Sequence, residues 1–404
     1  MRDISEVRSD FPILGRKVYG KPLVYFDNGA TSQKPQCVID ATDEVLTFYN
    51  GNIHRGVHYL SDMASESYEN ARQKVAEFIN AGRKEEIIFT SGTTGSINTI
   101  AFSFGEKYVG RGDEIIVSHL EHHANIVPWQ MLCERKGALL KVIPMNQNGE
   151  ISLDDYFRLL SPKTKLVAVT QVSNALGTIL PMSEIIEAAH SNNTPVLVDG
   201  AQGIQHGFVD VRKMDCDFYV FSGHKIYGPT GIGILYGKEK WLDAIPPYQG
   251  GGDMVEKVTF KKTTYNQLPF KFEAGTMNYA GAVGLGTALD YISEIGRDEI
   301  ASREKDLLAY ATEKISRISG VRIYGNSPGK ISTISFLING IHQYDTGMVL
   351  DKLGIAVRTG THCAQPVMDF YGIDGTVRAS MCFYNTKEEI DKLIKGIETV
   401  ISMF

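Results

Sequence analysis

Two side chains that follow apolar runs could together act on a bound aldehyde. Lys225 comes after the run FYVFS (218 to 222), and Asp199 ends the run PVLVD (195 to 199). In open α/β sheets, ligands sit outside the carboxyl ends of the strands, so both positions are candidates for a site. A lysine held there can lose its proton and form a Schiff base with an aldehyde. For a lone lysine, an exposed loop position is the more common explanation.

Asp199 at the end of a buried strand needs a partner, because burial of an unpaired carboxylate is unfavourable. A protonated pyridine nitrogen would satisfy this carboxylate, and the ring would then be a better electron sink. The alternative is an aspartate that caps a helix N-terminus, and it is comparably common when the motif is considered alone.

A hydroxyl-rich turn, T-S-G-T-T-G-S at residues 90 to 96, follows another apolar run and opens a predicted helix. Free backbone N–H groups and the positive end of a helix favour an anion at such a turn. Thr93 and Thr94 are therefore candidate phosphate contacts. On its own, a turn of this composition more often serves only to cap the helix.

The combination of these groups is more informative than any one of them. Ser222 and His224 belong to the sequence S-G-H-K that ends in Lys225, and both are near enough to reach the same anion. An amine for a Schiff base, a partner for a pyridinium and a phosphate cradle at one sheet edge describe pyridoxal phosphate. The sequence therefore predicts this cofactor, with Lys225 and Asp199 as its main anchors.

The elements that position these residues are short apolar runs, which recur between about residues 86 and 236. The runs are EIIF (86 to 89), EIIVS (114 to 118), LLKVI (139 to 143), LVAVT (166 to 170), PVLVD (195 to 199), FYVFS (218 to 222) and IGILY (232 to 236). Continuous apolar character is typical of strands buried on both faces. Segments of helical length separate most runs, so the pattern predicts an α/β fold with a mainly parallel seven-stranded sheet. The last two runs, joined by a Gly- and Pro-rich stretch, could pair differently.

The amino-acid pattern changes beyond residue 245, where a Gly-rich aromatic stretch is followed by a predicted helix and a mixed α and β region. We therefore predict a large cofactor domain over residues 21 to 290 and a smaller α+β domain over residues 291 to 404. Residues 1 to 20 are predicted to form a segment that packs with the small domain.

Composition and charge argue against several classes of partner. The chain has 404 residues, a formal net charge of -6 and a sequence pI near 6.0, whereas nucleic-acid binding depends on clustered Lys and Arg. No apolar run approaches the ~18 residues of a membrane span, and the N-terminus lacks the features of a secretory signal. We therefore expect no nucleic-acid or membrane partner, and a cytoplasmic location.

The five cysteines are odd in number and include no C-x-x-C pair, so they predict neither a disulfide framework nor a zinc site. We expect no metal. Most isolated cysteines are buried and inert. Cys363 differs, because it lies in a polar Gly/Thr loop beside His362 and close to Arg358. Nearby cations of this kind can stabilise a thiolate.

Several motifs together resemble one enzyme family. S-G-H-K-I-Y-G-P-T-G-I-G, V-D-G-A-Q and T-S-G-T-T resemble the aminotransferase class V branch of fold-type I pyridoxal-phosphate enzymes. E-H-H-A-N (121 to 125), S-N-A-L-G-T (173 to 178) and R-T-G-T-H-C-A-Q-P (358 to 366) resemble cysteine desulfurases of the SUF type. The resemblance covers essentially the whole chain. It implies a fold-type I transferase that converts L-cysteine to L-alanine.

The resemblance also implies the path of the sulfur. Cys363 receives it as a persulfide and passes it to a small acceptor protein of the SUF system, for iron-sulfur cluster assembly. Lys225 removes the α-proton of the substrate. His122 lies over the pyridine ring, where it stacks and helps to move protons.

The remaining cofactor contacts rest on the same resemblance. Asn174 and Gln202 hydrogen-bond the phenolic oxygen of the cofactor. Thr94, Ser222 and His224 bind its phosphate. Thr276, in F-E-A-G-T, completes the phosphate site from the neighbouring subunit, so the resemblance implies a homodimer.

The substrate contacts are likewise those of the family. Arg378, in T-V-R-A-S, resembles the arginine that grips the substrate carboxylate, a role suited to a bidentate guanidinium. Arg358 and Asn174 are further substrate contacts. His54, followed by Arg55 in N-I-H-R-G, matches a family position near the mouth of the site.

Two positions depart from the family pattern, and two other functions stay open. Relatives commonly carry two histidines before the cysteine, whereas this chain has Thr361 and then His362. Met277 follows F-E-A-G-T, where proline is common. A selenocysteine lyase would use the same scaffold. A non-catalytic scaffold of a sulfur-transfer complex would keep the fold without turnover.

Overall fold

The computed structural model describes residues 4–207 and 209–404. Its α-helices are α1 (Ile4–Ser9), α2 (Gln36–Phe48), α3 (Tyr59–Phe78), α4 (Thr93–Tyr108), α5 (Val127–Lys136), α6 (Leu153–Leu159), α7 (Met182–Ser191), α8 (Gly203–His206), α9 (Val211–Met214), α10 (Glu239–Ala244), α11 (Tyr279–Ile295), α12 (Arg297–Ser316), α13 (Gln343–Lys352), α14 (Gln365–Tyr371) and α15 (Lys387–Met403). Short 3-10 helices span Pro12–Gly15, Lys84–Glu86, His123–Asn125, Gly223–Lys225 and Phe270–Phe272.

The strands form one large sheet and several smaller ones. They are β1 (Lys17–Val18), β2 (Lys21–Pro22), β3 (Val24–Tyr25), β4 (Ile87–Thr90), β5 (Glu114–Ser118), β6 (Leu139–Ile143), β7 (Thr164–Thr170), β8 (Val196–Asp199), β9 (Phe218–Ser222), β10 (Gly233–Gly237), β11 (Val255–Val258), β12 (Thr263–Tyr265), β13 (Val321–Tyr324), β14 (Thr333–Ile338), β15 (Ile355–Ala356), β16 (Arg358–Gly360) and β17 (Thr376–Ser380).

The large sheet has seven strands in the order β4-β10-β9-β8-β7-β5-β6. Neighbours from β9 to β6 pair in parallel, whereas β10 is antiparallel to both β4 and β9. The mainly parallel seven-stranded sheet predicted from the apolar runs is therefore confirmed. The different pairing of the last two runs is confirmed as well, since the turn between β9 and β10 returns the chain directly.

Both faces of this sheet are covered, which explains why its strands are continuously apolar. In β8, Val196 and Val198 pack in the core cluster on one face, and Leu197 packs in the cluster on the other face. Alternate residues of a strand point to opposite faces, so a strand between two helical layers needs an apolar side chain at every position. Full burial of each such side chain stabilises the folded state by about 1.5–3 kcal/mol.

A second, antiparallel sheet has the order β13-β14-β17-β16 and shares a third core cluster with residues of α12, α13 and α15. Residues near the N-terminus, inside and just beyond the predicted segment of residues 1 to 20, contact this part of the chain. Val24 of β3 pairs with Ile355 of β15, and Arg8 forms an ion pair of 2.8 Å with Glu389. The predicted boundary after residue 290 lies inside α11, whose last residue is Ile295. The division into domains stays a prediction.

Candidate active site

A cavity of about 440 Å³ lies at the carboxyl ends of the strands of the large sheet and reaches the cysteine loop. It brings together most of the residues singled out from the sequence. Those that line it are Thr93, Thr94, His122, Asn174, Asp199, Gln202, Ser222, His224, Lys225, Arg358, Cys363 and Arg378. Two sheets contribute to it, because Arg358 of β16 and Arg378 of β17 are paired across the smaller one.

Lys225 ends the 3-10 turn that follows β9 and lines the cavity. Burial lowers the pKa of Lys225 to about 8, and the positive charge of Arg378 acts in the same direction. Asp199 and Cys363 oppose this shift. An ammonium is disfavoured without solvent, so the neutral amine is far more populated here than in an exposed lysine. Lys225 is thereby suited to nucleophilic attack on a carbonyl.

Asp199, the last residue of β8, is buried, and one carboxylate oxygen accepts the backbone N–H of Ala201 at 2.9 Å. Burial raises the pKa of Asp199, while the charge of Lys225 opposes the shift. A buried carboxylate with a raised pKa has spare capacity for a cationic or N–H partner. A pyridine nitrogen in the cavity would fit that requirement.

The candidate anion cradle forms where α4 begins. Gly92 precedes the helix with a φ of 147°, which other residue types rarely adopt. The backbone N–H of Thr93 donates to Ser222 Oγ at 2.8 Å, and the Thr93 and Ser222 hydroxyls are 2.7 Å apart. The sixteen-residue helix α4 adds its positive end to these hydroxyls. The group is suited to hold a phosphate.

The His224 peptide is fixed by donors from residues 31–34. Its carbonyl oxygen accepts from Thr31 Oγ1 at 3.1 Å, Ser32 Oγ at 3.2 Å and Lys34 Nζ at 2.9 Å. Burial lowers the pKa of Lys34 to about 7. Because this peptide directly precedes Lys225, these side-chain donors fix the backbone from which Lys225 extends.

Two histidines in the cavity are neutral at physiological pH. Burial lowers the pKa of His122 to about 3, with Lys225 as the next cause, and burial lowers the pKa of His224 to about 4. His122 Nδ1 accepts the backbone N–H of Ala124 at 3.0 Å. The proton of the neutral ring therefore lies on Nε2, because an accepting nitrogen carries none.

Asn174 and Arg378 leave polar atoms unmatched in the wall of the cavity. Asn174 Nδ2 donates to the carbonyl of His362 at 2.6 Å, and Arg378 Nη1 donates to the carbonyl of Asn174 at 2.8 Å. Asn174 Oδ1 and Arg378 Nε are buried and have no hydrogen-bond partner among the described residues. Buried polar atoms of this kind are rare in folded proteins, so the site fits a ligand that carries hydroxyl and carboxylate groups.

The cysteine loop is held by its backbone. His362 and Cys363 both have a φ of 54°, in the left-handed region that few side chains adopt. The carbonyl of Cys363 accepts the N–H of His123 at 2.7 Å, and His362 Nε2 lies 2.8 Å from Thr376 Oγ1. The thiol of Cys363 is exposed. Burial holds the pKa of His362 well below its usual range, so this imidazole is neutral.

Asp27 is a site residue that the sequence did not indicate. It follows β3 and lines the cavity, where one carboxylate oxygen accepts from Arg378 Nη2 at 3.2 Å and the other lies 3.7 Å from Arg358 Nη1. Burial raises the pKa of Asp27, and the two arginines oppose that shift. The only signal in the sequence was its position after the short apolar run LVYF, which gave no reason to relate it to arginines more than 300 residues away.

Glu121 is the first residue of the E-H-H-A-N motif, and the sequence gave it no role of its own. In the structure it organises the loop that carries His122. It is fully buried, and its carboxylate accepts from Ser118 Oγ at 2.5 Å, from the N–H of Thr170 at 2.9 Å and from Asn125 Nδ2 at 2.6 Å. Burial raises its pKa to about 8. These bonds tie the His122 loop to β5 and β7, which the sequence alone did not indicate.

His54 and Thr276 do not line the cavity of their own chain. His54 Nε2 lies 3.3 Å from Glu69 Oε1, and its ring packs edge-on against Phe270. Thr276 Oγ1 donates to Asn52 Oδ1 at 3.1 Å. The two predicted site residues therefore lie near each other, on segments 52–54 and 270–276, and apart from the residues around Lys225.

Neither a metal centre nor a membrane-spanning helix is found in the described part of the chain. Across residues 4–207 and 209–404, there is no group of three or more His, Cys, Asp or Glu side chains arranged to hold a metal ion. Within the same ranges, no helix is both long and apolar enough to span a membrane.

Comparison with known proteins gives consistent matches. The family model described as Aminotransferase class-V matches residues 24–393. Over 398 residues, or 98% of the chain, the sequence is 51% identical to the cysteine desulfurase of Synechococcus elongatus and 50% identical to that of Enterobacter sp. strain 638. The chain spans only 64% of the length of the Synechococcus protein, but 98% of the Enterobacter protein.

Solved structures agree with these sequences. The apo cysteine desulfurase of Thermococcus onnurineus superposes with a TM-score of 0.95 at 39% identity, covering 100% of this chain and 99% of that one. A cysteine desulfurase of Escherichia coli superposes with a TM-score of 0.91 at 38% identity, covering 100% of both chains.

Proposed function

Since the chain belongs to the aminotransferase class-V family, we propose that it is a cysteine desulfurase, which converts L-cysteine to L-alanine and keeps the sulfur on Cys363. The observation that carries this proposal is a single cavity lined by Lys225, Asp199, Arg378 and Cys363. The first two fit pyridoxal phosphate, the third fits a carboxylate, and the fourth supplies a thiol. The motif R-T-G-T-H-C-A-Q-P supports assignment to the SUF type.

The residues around the cavity suit pyridoxal phosphate. When bound, this cofactor supplies an aldehyde that condenses with amines and a ring that withdraws electrons from the Cα atom of the substrate. Lys225 would hold the aldehyde, and Asp199 the ring nitrogen. Asn174 and Gln202 would bind the phenolic oxygen. The phosphate would be bound by Thr93, Thr94, Ser222 and His224.

Arg378 positions the substrate by its carboxylate. Its guanidinium now donates to Asp27, and its Nε has no partner among the described residues. An incoming carboxylate can therefore take a bidentate position, with Asp27 giving up its bond. Arg358, half-exposed beside the same aspartate, is a second cation at the entrance. This arrangement selects an amino acid that presents a free carboxylate.

Lys225 moves the proton of the substrate. With the cofactor bound, Lys225 Nζ would act as the base for the proton on Cα, a role that its lowered pKa suits. The neutral His122, with its proton on Nε2, would stack on the ring and assist proton movement. Both groups lie in the same lining.

Cys363 takes the sulfur. Its thiolate attacks the sulfur of the substrate, an S–S bond forms and the Cβ–S bond breaks. The carbon keeps the electron pair and takes a proton, so that L-cysteine and the thiol become L-alanine and a persulfide. Because the Cys363 side chain is exposed, a second protein can reach the persulfide. We expect that protein to be a small acceptor of the SUF system, acting in the cytoplasm in iron-sulfur cluster assembly.

A homodimer explains the two residues that lie outside the cavity. His54 and Thr276 occur on neighbouring segments, where both could serve the site of a second subunit. Glu273, three residues before Thr276, accepts from Arg72 at 2.7 Å and from Tyr68 at 2.8 Å. These buried bonds hold the F-E-A-G-T segment rigid, which suits a segment that completes a partner's phosphate site.

The test is to add L-cysteine to the purified protein reconstituted with pyridoxal phosphate. We expect one alanine for each sulfur transferred, and a persulfide on the peptide that contains Cys363, identified by alkylation and mass spectrometry. Alanine without a persulfide on Cys363 would contradict the proposed sulfur step. A protein that stays colourless after reconstitution would instead favour the non-catalytic scaffold.

A further inference from the structure

Asp27 lies between the two arginines of the candidate active site. One of its carboxylate oxygens accepts from Arg378 Nη2 at 3.2 Å, and the other lies 3.7 Å from Arg358 Nη1. The two arginines are directly opposite each other on the paired strands β16 and β17, and like charges in that arrangement are destabilising. Asp27 offsets their repulsion, because its carboxylate is attracted to both guanidinium groups.

The backbone near Asp27 is fixed to the strand that carries Arg378. Asp27 forms a β-bridge with Ser380, and Ser380 Oγ accepts the N–H of Gly29 at 2.7 Å. Gly29 lies against the guanidinium, since a Cβ atom added there would be 3.2 Å from Arg378 Cζ and 3.3 Å from its Nη2. None of these contacts uses the Asp27 carboxylate, so a ligand that takes its bond to Arg378 leaves the residue in the site.

The charges of this group match one carboxylate. Arg378 is buried and Arg358 is half-exposed. Together they bring two positive charges, and Asp27 offsets one of them. The other charged side chains among the described residues of the cavity lining, Lys225 and Asp199, have opposite signs. The α-carboxylate of one amino acid would therefore neutralise the positive charge that remains.

A second carboxylate on the same ligand would have no cation of its own. When the α-carboxylate bonds to Arg378, Asp27 keeps Arg358 as its partner. In the proposed sulfur step the side chain of the ligand reaches Cys363, on the loop that follows Arg358 and β16. A carboxylate in that side chain would compete for Arg358 and leave Asp27, which is only 18% exposed, without a partner. An unpaired carboxylate with so little solvent is unfavourable.

We propose that Asp27 limits the substrates to amino acids with a single carboxylate, and that it disfavours acidic amino acids such as L-aspartate. The inference rests on the proposed function, since it takes Arg378 to bind the α-carboxylate. It gives Asp27 a part in specificity. Replacement of Asp27 by a neutral residue frees Arg358 for a second carboxylate, so the preference against acidic amino acids should disappear.

L-Asparagine and L-aspartate test the proposal, because they have nearly the same shape and differ in the charge of the side chain. Each is titrated into the holoenzyme at constant ionic strength, and binding is followed by the change in the visible absorbance of the cofactor. We expect the unaltered protein to bind asparagine more tightly than aspartate. In Asp27→Asn the ratio of the two dissociation constants should shift toward aspartate by about 10-fold or more, the effect of one hydrogen bond to a charged group.

Further variants show whether the shift arises at this site. Asp391→Asn is the matched control, because Asp391 lies on α15 and does not line the cavity, and it should keep the ratio of the unaltered protein. Addition of Arg358→Gln to Asp27→Asn should abolish the gain for aspartate, because the second carboxylate then has no cation. Asp27→Ser removes the same charge with a smaller side chain, and it should give the same shift if Asp27→Asn does not fold.

The proposal is overturned if the unaltered protein binds aspartate as tightly as asparagine or binds neither. It is also overturned if Asp27→Asn and Asp391→Asn give the same ratio, or if the variant that also carries Arg358→Gln keeps the gain. These outcomes are distinct from failure of the proposed function, because neither amino acid contains sulfur. A protein that forms alanine and the Cys363 persulfide keeps its proposed function whatever the ratio, and the predicted ratio without sulfur release would support only the role of Asp27.

Discussion

The site joins two regions that are built in different ways. Asp199 ends β8 and Lys225 follows the adjacent strand β9, and each strand is paired on both sides within the large sheet. Burial shifts the pKa of both residues. Cys363 lies in a loop with a left-handed backbone, its thiol is exposed, and hydrogen bonds to its main chain fix it in place.

The difference shows how one site can serve two requirements. Chemistry on the amino acid needs charges of fixed position in a dry environment, where desolvation changes their protonation. Delivery of sulfur to another protein needs a nucleophile that a large molecule can reach. A buried sheet edge supplies the first, and an exposed loop held by its backbone supplies the second.

The largest effect is expected at the sheet edge. Lys225→Ala should lower alanine formation by about 10³-fold or more, since it would remove both the proposed anchor of the cofactor and the proposed base. The visible absorbance of the reconstituted protein should also be lost or displaced, as a spectrum recorded after gel filtration would show. An active Lys225→Ala variant with an unchanged spectrum would mean that the sheet edge has been misassigned.

Substitution in the cysteine loop should affect activity in a different way. Cys363→Ser should stop sulfur transfer from L-cysteine, while the spectrum and the melting temperature stay those of the unaltered protein, because this side chain is exposed and lies outside the core. Cys37→Ser, at the other exposed cysteine, is the matched control and should keep full activity. A substantial rate with L-selenocysteine in Cys363→Ser would add selenocysteine lyase activity. Full desulfurase activity would remove Cys363 from the mechanism.

A smaller effect concerns the protonation of Lys225 before the cofactor arrives. Its pKa of about 8 lies below that of a free lysine, so the neutral, reactive amine increases as pH rises through 8. The rate at which the apo-protein takes up pyridoxal phosphate should rise over the same interval and then level off. In Asp199→Asn the midpoint should move to lower pH, because Asp199 raises the pKa of Lys225. Stopped-flow absorbance gives both curves, and a midpoint near 10 would contradict the assignment.

The smallest effect is expected when His362 is replaced. The experiment tests whether His362 positions the cysteine loop or donates a proton during turnover. Its imidazole is buried and neutral, and asparagine tolerates a left-handed backbone. His362→Asn should therefore keep activity within about 10-fold, with no change in the shape of the rate profile between pH 5 and 8. Loss of a limb of that profile in His362→Asn would show that this histidine titrates during turnover.

Much of the sheet edge could be predicted from the sequence, because local signals identified it. Continuous apolar runs located all seven strands to within about two residues, within the usual error on an element edge. Since parallel strands end at the same edge, the sequence alone was enough to place Asp199 and Lys225 together. The resemblance to class V aminotransferases and cysteine desulfurases, read from short motifs, is confirmed by the comparisons.

The rest depends on contacts between distant parts of the chain, which leave no local signal. Asp27 meets Arg378 because β3 pairs with β15 and Asp27 itself forms a bridge with Ser380 at the end of β17. The left-handed backbone at His362 and Cys363 follows from bonds made to His123 and Asn174. The roles of the individual site residues, like the domain boundaries, remain predictions.

The strand order has a consequence for how the molecule is made. β4, the first strand of the large sheet along the chain, pairs only with β10, the last, so its pairing waits until about residue 237 has been synthesised. The bond from Thr93 to Ser222, and with it the anion cradle, can therefore form only after β9 has been synthesised. Because a ligand stabilises only the state that binds it, the phosphate of the cofactor would secure the final closure of the sheet. When the chain is synthesised without pyridoxal phosphate, β4 should therefore remain accessible to proteases for longer than the other strands of the large sheet.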